Sequence, residues 1–214
     1  ALLAATYIPS LADNTMGSVT LTITTNDPPG VCPPASDYMI LTINTAAIAN
    51  AGIDTLVCAG NPLTLSGAIG GSAASAIWST SGDGSYNNPA LLTATYTPGV
   101  TDISMGTVTL TLTTNDPVGP CLPGTDFMIL TISTLPAPSL TVNDISCNGL
   151  CDGSEAATVS GGTSPFSYIW SASAGSQTTS SATGLCTGMH TITVTDSKGC
   201  AGSSSAAVSE PVVL

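Results

Sequence analysis

The sequence repeats itself with a period of 89 residues. Sliding the chain by this distance places ALLAATYIPS on ALLTATYTPG, GSVTLTITTNDP on GTVTLTLTTNDP, and DYMILTI on DFMILTI. A repeat of this length is typical of an array of small domains. Residues 1–45 are therefore predicted to be the C-terminal half of a unit whose complete copy is residues 46–134. The missing half lies upstream, or a strand donated by another subunit replaces it.

The complete unit, residues 46–134, has the pattern of a β-sandwich. Strand signals recur about every ten residues and are separated by turn residues. In TVTLTLTT, the apolar Val108, Leu110 and Leu112 alternate with threonines, which is the two-residue period of a strand with one buried face. No ten-residue segment has a helical period. We predict an all-β chain of tandem immunoglobulin-like sandwiches.

A third unit, residues 135–214, begins after the proline-containing joint STLPAPSL. Its short strand signals are AATVSG, FSYIWSAS, MHTITVTD and SSAAVSEP, and glycine and serine turns separate them. This pattern predicts a second kind of sandwich. The segment MHTITVTDSKGC has the same order of features as the repeated phrase: an alternating strand, an acidic turn and a cysteine.

The charge balance excludes several classes of partner. The chain has a single Lys or Arg against 13 Asp and Glu, and its formal net charge is -12. Such a chain lacks the basic surface that neutralises phosphates, so nucleic acid and anionic membranes are poor partners, and no nucleic-acid binding is expected. No apolar run reaches the roughly 18 to 20 residues of a membrane-spanning helix, so membrane insertion is not expected.

Seven cysteines in a short chain indicate disulfides and an oxidising compartment. In the complete unit, Cys58 lies near the start and Cys121 near the end, so we predict that they pair. Cys32 is the counterpart of Cys121 one repeat earlier, and its partner would lie upstream of Ala1. Cys32 is therefore predicted to be unpaired in this chain.

The other four cysteines lie in the third unit and allow three connectivities. We favour Cys147 with Cys200 and Cys151 with Cys186, because these bonds join the first loop to the last two strand ends. A core this small buries little apolar area and gains stability from such cross-links.

Two segments resemble known repeat families. The segment from CNGLCDGSEAATVSGG to TITVTDSKGC is similar to the SprB-type repeat of very large cell-surface proteins in gliding Bacteroidetes. The segment from NAGIDTLVCAG to TATYTPG, with its TNDP continuation, resembles the PKD-like, immunoglobulin-like repeats that accompany it. Both resemblances rest on a framework of Cys, Gly and Trp residues.

The resemblance implies an extracellular, surface-anchored adhesin or filament, exported by type IX secretion. Arrays of units would form a stalk that displays a distal binding element and supports adhesion or gliding. Its expected partners are neighbouring repeats or subunits of the same polymer, and surface polysaccharide. Asp54-Thr55-Leu56 also resembles the O-glycan acceptor of Bacteroidetes, so Thr55 is a candidate glycosylation site.

The sequence offers little support for a catalytic function. Nucleophilic catalysis needs a base beside the nucleophile, and the single histidine, His190, lies on an alternating strand, where we expect it to be hydrogen-bonded and structural. With Lys198 as the lone basic side chain, few groups are present to stabilise an anionic transition state. We expect no catalytic site and no organic cofactor.

Calcium is the alternative to a metal-free chain, because it binds clustered carboxylate and amide oxygens. However, the sequence has no EF-hand ladder, and Asn-Asp-Pro is turn chemistry in its own right. The candidate ligands are Asp116, Asp27 and Asp152, with Asp83, Asp144 and Glu155 as further carboxylates.

Two tryptophans separate two functional hypotheses. Trp78 and Trp170 occupy corresponding places in the complete and third units. If their rings are exposed, they form a platform for sugars, and this platform, or else a calcium-organised groove, is what a carbohydrate-binding module array attached to a secreted hydrolase would require. If they are buried, each is the core tryptophan of a sandwich's third strand, and the chain is a structural stalk segment.

Overall fold

The computed structural model describes residues 4–26, 30, 33–115 and 121–212. Within these ranges, β-strands dominate and the helices are short. The predicted all-β fold class, with disulfide-linked immunoglobulin-like sandwiches, is confirmed. No helix in the described ranges is long and apolar enough to span a membrane.

The first unit contains a short helix and one hairpin. Its elements are α1 (Leu11–Met16), β1 (Ser18–Thr24) and β2 (Ser36–Thr42). The two strands pair in antiparallel register, with Leu21 opposite Met39. Ser10 caps α1, because its hydroxyl accepts a hydrogen bond from the Asp13 N–H and the Asp13 carboxylate accepts one from the Ser10 N–H.

The complete unit is a two-layer sandwich. Its elements are β3 (Ile48–Asn50), β4 (Thr55–Cys58), β5 (Leu63–Thr64), β6 (Ala68–Gly70), β7 (Ala76–Thr80), β8 (Ser85–Tyr86), β9 (Thr95–Thr97), α2 (Val100–Met105), β10 (Thr107–Thr114) and β11 (Thr125–Ser133). One sheet has the order β4-β11-β10-β7. Facing it are the sheet β5-β9-β8 and the pair β3-β6.

The core of this sandwich follows from the alternation seen in the sequence. Val108, Leu110 and Leu112 of β10 are buried, and the threonines between them are more exposed. Trp78, paired with Leu112, and Tyr96 complete the same core. The helix α2 was not predicted, because its six residues are too few to show a helical period.

The third unit is also a two-layer sandwich, built around its own core. Its elements are β12 (Ala137–Asn143), β13 (Gly153–Ser160), β14 (Ser167–Trp170), β15 (Ser181–Leu185), β16 (Gly188–Thr195) and β17 (Ala201–Val208), with one 3-10 turn at Ala172–Ala174. The sheet β12-β13-β15 faces the sheet β14-β16-β17. Between them lie Trp170, Leu185, Ile192 and Val194, all nearly or fully buried.

Candidate functional site: the junction between two sandwiches

The chain leaves the complete unit at the end of β11 and enters the third unit at β12. Strand β4 runs parallel to β11, and this register places Cys58 opposite Ser133, the last residue of β11. The Ala59 N–H donates to the Ser133 carbonyl at 2.8 Å. Cys58 is therefore close to the start of the third unit, although it lies early in the sequence.

The third unit contributes the turn between β16 and β17. Asp196 organises this turn: its Oδ1 accepts hydrogen bonds from the backbone N–H groups of Lys198 and Cys200 at 2.9 and 2.8 Å. Its Oδ2 accepts one from the Thr163 N–H at 2.9 Å. Burial alone would raise the pKa of Asp196, but these backbone bonds outweigh it and lower the pKa.

A disulfide between Cys58 and Cys200 joins the two sandwiches, with 5.6 Å between the Cα atoms. Cys200 is fully buried. Beside it, Gly202 lies so close to the Pro136 carbonyl that a Cβ would overlap it. The junction is therefore closed by one covalent bond and by tight contact of the linker with β17.

This bond corrects two predicted pairings, Cys58 with Cys121 and Cys147 with Cys200. The parallel pairing of β4 with β11 explains the error, because it takes Cys58 to the end of β11, whereas Cys121 precedes the start of that strand. The nine residues of β11 span about 27 Å at the usual strand rise. Cys121 and Cys147 have free thiols, and Cys32 lies outside the described residues.

The second disulfide pairs Cys151 with Cys186, as predicted. The reason is the antiparallel register of β13 and β15, in which Gly153 lies opposite Leu185. The two cysteines lie just outside the paired residues, Cys151 before β13 and Cys186 after β15, with their Cα atoms 4.0 Å apart. This bond joins the chain just before β13 to the chain just after β15.

Two of the carboxylates proposed as calcium ligands, Asp152 and Asp83, accept hydrogen bonds from nearby protein groups. Asp152 accepts hydrogen bonds from the N–H and hydroxyl of Ser146 at 3.0 and 2.6 Å, which lower its pKa. Asp83 accepts from the backbone N–H of Thr101, and this bond lowers its pKa. In the described part of the chain, no three His, Cys, Asp or Glu side chains gather as a metal site. Asp27 and Asp116 lie outside the described residues.

Two further carboxylates from that set have different roles. Asp144 Oδ1 accepts a hydrogen bond from the Ser209 N–H at 2.8 Å, which holds the residue after β17 against the loop after β12. Glu155 on β13 is only 1% exposed, and both of its carboxylate oxygens lack a hydrogen-bond partner among the described residues. Burial raises the pKa of Glu155, and the nearby His190 partly opposes the increase.

His190 is buried and hydrogen-bonded on both sides of its ring, which confirms the prediction of a structural strand histidine. Its Nε2 lies 3.0 Å from the Cys186 carbonyl, and its Nδ1 lies 3.2 Å from the Ser173 hydroxyl. Because a carbonyl only accepts, Nε2 carries the hydrogen in this pair. The ring thus links the 3-10 turn to the loop of the second disulfide.

Both tryptophans are buried. Trp78 is 3% exposed and Trp170 is 2% exposed. The indole N–H of Trp170 donates to the Thr179 carbonyl at 2.9 Å. The predicted core role is confirmed, and neither ring offers a platform for sugars.

Thr55 is half-buried at the start of the edge strand β4. The neighbouring Asp54 accepts a hydrogen bond from the Ile129 N–H at 2.8 Å, which fixes this edge against β11. Glycosylation of Thr55 stays a prediction, and intact mass of the secreted protein would test it.

Comparison with known proteins gives one family match. Residues 139–175 match the SprB repeat family, and this match confirms the resemblance proposed for the third unit. No curated protein sequence matches the chain.

The chain spans less than two thirds of the length of the following solved structures that it matches. The first eight immunoglobulin domains of Down syndrome cell adhesion molecule match with 12% identity and a TM-score of 0.49, over 83% of this chain and 29% of that one. The insect immune protein hemolin matches with 13% identity and a TM-score of 0.44, over 82% and 53%. A Ca²⁺-stabilised, ice-binding adhesin of an Antarctic bacterium matches with 16% identity and a TM-score of 0.37, over 91% and 56%.

Proposed function

We propose that this chain is a stalk segment of a large secreted tandem-repeat surface adhesin or extracellular filament. It holds a distal binding element away from the cell and supports adhesion or gliding. The observation that supports this role most directly is the Cys58–Cys200 disulfide, which joins two consecutive sandwiches across a short linker. A stalk has to transmit tension between its domains, and a covalent bond across the junction does so.

The path of tension follows from the position of this bond. A pull on the two ends of the chain enters along residues 4–58, crosses the disulfide, and leaves from Cys200 towards residue 212. Residues 59–199 lie inside the closed loop. Tension therefore cannot extend the linker or the strands within that loop while the disulfide is intact.

The surface chemistry fits an exposed, crowded filament. The formal charge of -12 keeps neighbouring stalks apart through repulsion. Lys198, the lone basic residue, is the one cleavage site for a trypsin-like protease, and it lies in the turn that Asp196 and the buried Cys200 organise. Export by type IX secretion, a Bacteroidetes source and surface polysaccharide as a partner belong to this proposal through the SprB repeat.

The location can be tested on intact cells that produce the protein. An antibody raised against residues 46–134 should label extended surface structures without permeabilisation, and brief digestion with a nonspecific protease should remove the label. Removing one repeat unit in frame should shorten those structures and leave binding of the distal element unchanged. Labelling that requires permeabilisation would contradict the proposal, and so would loss of target binding in the shortened protein.

A further inference from the structure

The junction before the complete unit repeats the geometry of the junction after it. With the 89-residue offset, Asn44 corresponds to Ser133 and Ala47 corresponds to Pro136. A Cβ on Gly124 would lie 2.5 Å from the Ala47 carbonyl oxygen, and a Cβ on Gly202 would overlap the Pro136 carbonyl oxygen. At both junctions, a glycine shortly after a turn cysteine therefore packs on the same position of the preceding linker.

The turn cysteine at the earlier junction is Cys121. Its thiol donates to the Asn44 carbonyl, with 3.5 Å between Sγ and O. Asn44 is the counterpart of Ser133, the residue that lies opposite Cys58 in the complete unit. The counterpart of Cys58 in the first unit would consequently lie opposite Asn44 and beside Cys121. At the later junction the equivalent pair, Cys58 and Cys200, is bonded.

The first unit shows the surface that its N-terminal half would cover. Ile23 and Met39 of the β1–β2 hairpin are 61% and 58% exposed, whereas their counterparts Leu112 and Met128 are 0% and 3% exposed. A groove of about 600 Å³ runs along the hairpin and past Tyr7. In the complete unit the corresponding surface packs against residues from 46–89, including Trp78. A segment equivalent to 46–89 is thus the occupant that fits the groove.

We infer that Cys121 forms a disulfide with the counterpart of Cys58 in the unit that contains residues 4–45. The bond would join consecutive units as Cys58–Cys200 does, so each unit is linked by its early cysteine to the turn cysteine of the next one. The inference rests on the proposed tandem-repeat stalk. Two thiols lose two protons and two electrons in this step, and a small-molecule or protein disulfide takes them up and becomes two thiols.

The test uses the 214-residue chain and a longer version in which a second copy of residues 46–89 precedes residue 1. Both proteins are equilibrated in a buffer of reduced glutathione and glutathione disulfide, which keeps unpaired cysteines as thiols, then blocked with iodoacetamide, digested, and mapped by mass spectrometry. In the 214-residue chain, Cys121 should be labelled almost completely. In the extended chain its labelling should fall almost to zero, and the added cysteine should be recovered bonded to Cys121, alongside Cys58–Cys200.

Two variants of the extended chain complete the design. Cys121→Ser should leave the added cysteine open to labelling, and Cys147→Ser should leave the new bond intact. The inference is overturned if the added cysteine bonds to Cys32, if Cys121 stays labelled, if the 214-residue chain bonds Cys121 internally, or if Cys58–Cys200 does not form. Since mapping uses purified protein, its outcome is independent of whether cells display the chain as a stalk.

Discussion

Tyr96 donates its hydroxyl hydrogen to Oδ2 of Asp102, with 2.6 Å between the oxygens, inside the core of the complete unit. Asp102 is 1% exposed. Its carboxylate also accepts hydrogen bonds from the backbone N–H groups of Asp83, Gly84 and Gly99 at 3.1 to 3.2 Å. Burial, together with the hydrogen bond to Asp102, raises the pKa of Tyr96 to about 12. Through these hydrogen bonds, the Asp102 carboxylate holds the β7–β8 turn, β9 and α2 together.

The first unit contains the same pair in an exposed setting, because Tyr7 and Asp13 are the counterparts of Tyr96 and Asp102 and are also hydrogen-bonded. We predict that Asp102→Ala lowers the free energy of unfolding by about 3 kcal/mol, since it leaves several buried donors without an acceptor. Asp13→Ala should change it little, because water replaces the lost acceptor. Urea denaturation followed by far-ultraviolet circular dichroism, which reports on every unit, measures both, and equal effects of the two variants would contradict the argument.

The strand pattern was readable from the sequence, and the role of Asp102 was not. Alternation in β10 fixes which side chains enter the core, so the sandwich and its buried tryptophans could be predicted. Asp102 lies in a six-residue helix without periodicity, and its donors come from residues far apart along the chain. A partial signal existed, because the repeat preserves a tyrosine and an aspartate six residues apart.

The disulfides show a second limit of sequence reasoning. The Cys151–Cys186 bond lies beside the antiparallel pairing of β13 with β15, and the order of cysteines and strands in the sequence was sufficient to predict it. Cys58–Cys200 depends on the parallel pairing of β4 with β11, which no local pattern reveals. The similar order of strand, turn and cysteine in the complete and third units was the available clue, because it makes Cys200 the equivalent of Cys121.

The Cys58–Cys200 bond gives a prediction for single-molecule stretching between the two chain ends. The bonded cysteines are 142 residues apart in sequence. Complete reduction should therefore lengthen the fully stretched chain by about 500 Å, at about 3.5 Å for each released residue. Force spectroscopy with and without reductant measures this difference.

A double variant, Cys58→Ser with Cys200→Ser, provides the matched control. Under oxidising conditions it should fall short of the fully reduced length by about 120 Å, because Cys151–Cys186 still encloses a separation of 35 residues. Cys147→Ser should stretch like the unaltered protein. An oxidised, unaltered chain that extends as far as the reduced one would show that Cys58–Cys200 does not carry the tension.

The two core tryptophans differ in one hydrogen bond. The indole N–H of Trp170 donates to Thr179, whereas that of Trp78 has no partner within the described ranges. Trp170→Phe should therefore be about 1 kcal/mol more destabilising than Trp78→Phe, since it leaves a carbonyl without its donor. Denaturant unfolding of the two variants measures the difference, and equal costs would argue against a role for the Trp170 bond.

Glu155 is expected to make the stability of the fold decrease as the pH rises. Its pKa in the folded chain is raised above the ordinary value of 4.5, chiefly because burial disfavours the charged form. The folded state then holds this proton to higher pH than the unfolded state, so the contribution of Glu155 to stability falls as pH rises above about 4.5. Glu155→Gln removes this dependence. The melting temperature of the variant minus that of the unaltered protein should therefore increase as the pH rises to 7.

Asp196 provides the control of opposite sign. Despite its burial, backbone hydrogen bonds lower its pKa below 3.8, so its contribution to stability is present above that pH and is lost as pH falls through the lowered value. Asp196→Asn should therefore melt below the unaltered protein at pH 7, and the gap should narrow in acid. Parallel melting curves from pH 3 to 7 compare the two variants. A Glu155→Gln difference that shrinks with rising pH would mean that the buried carboxylate is charged and stabilising in the fold.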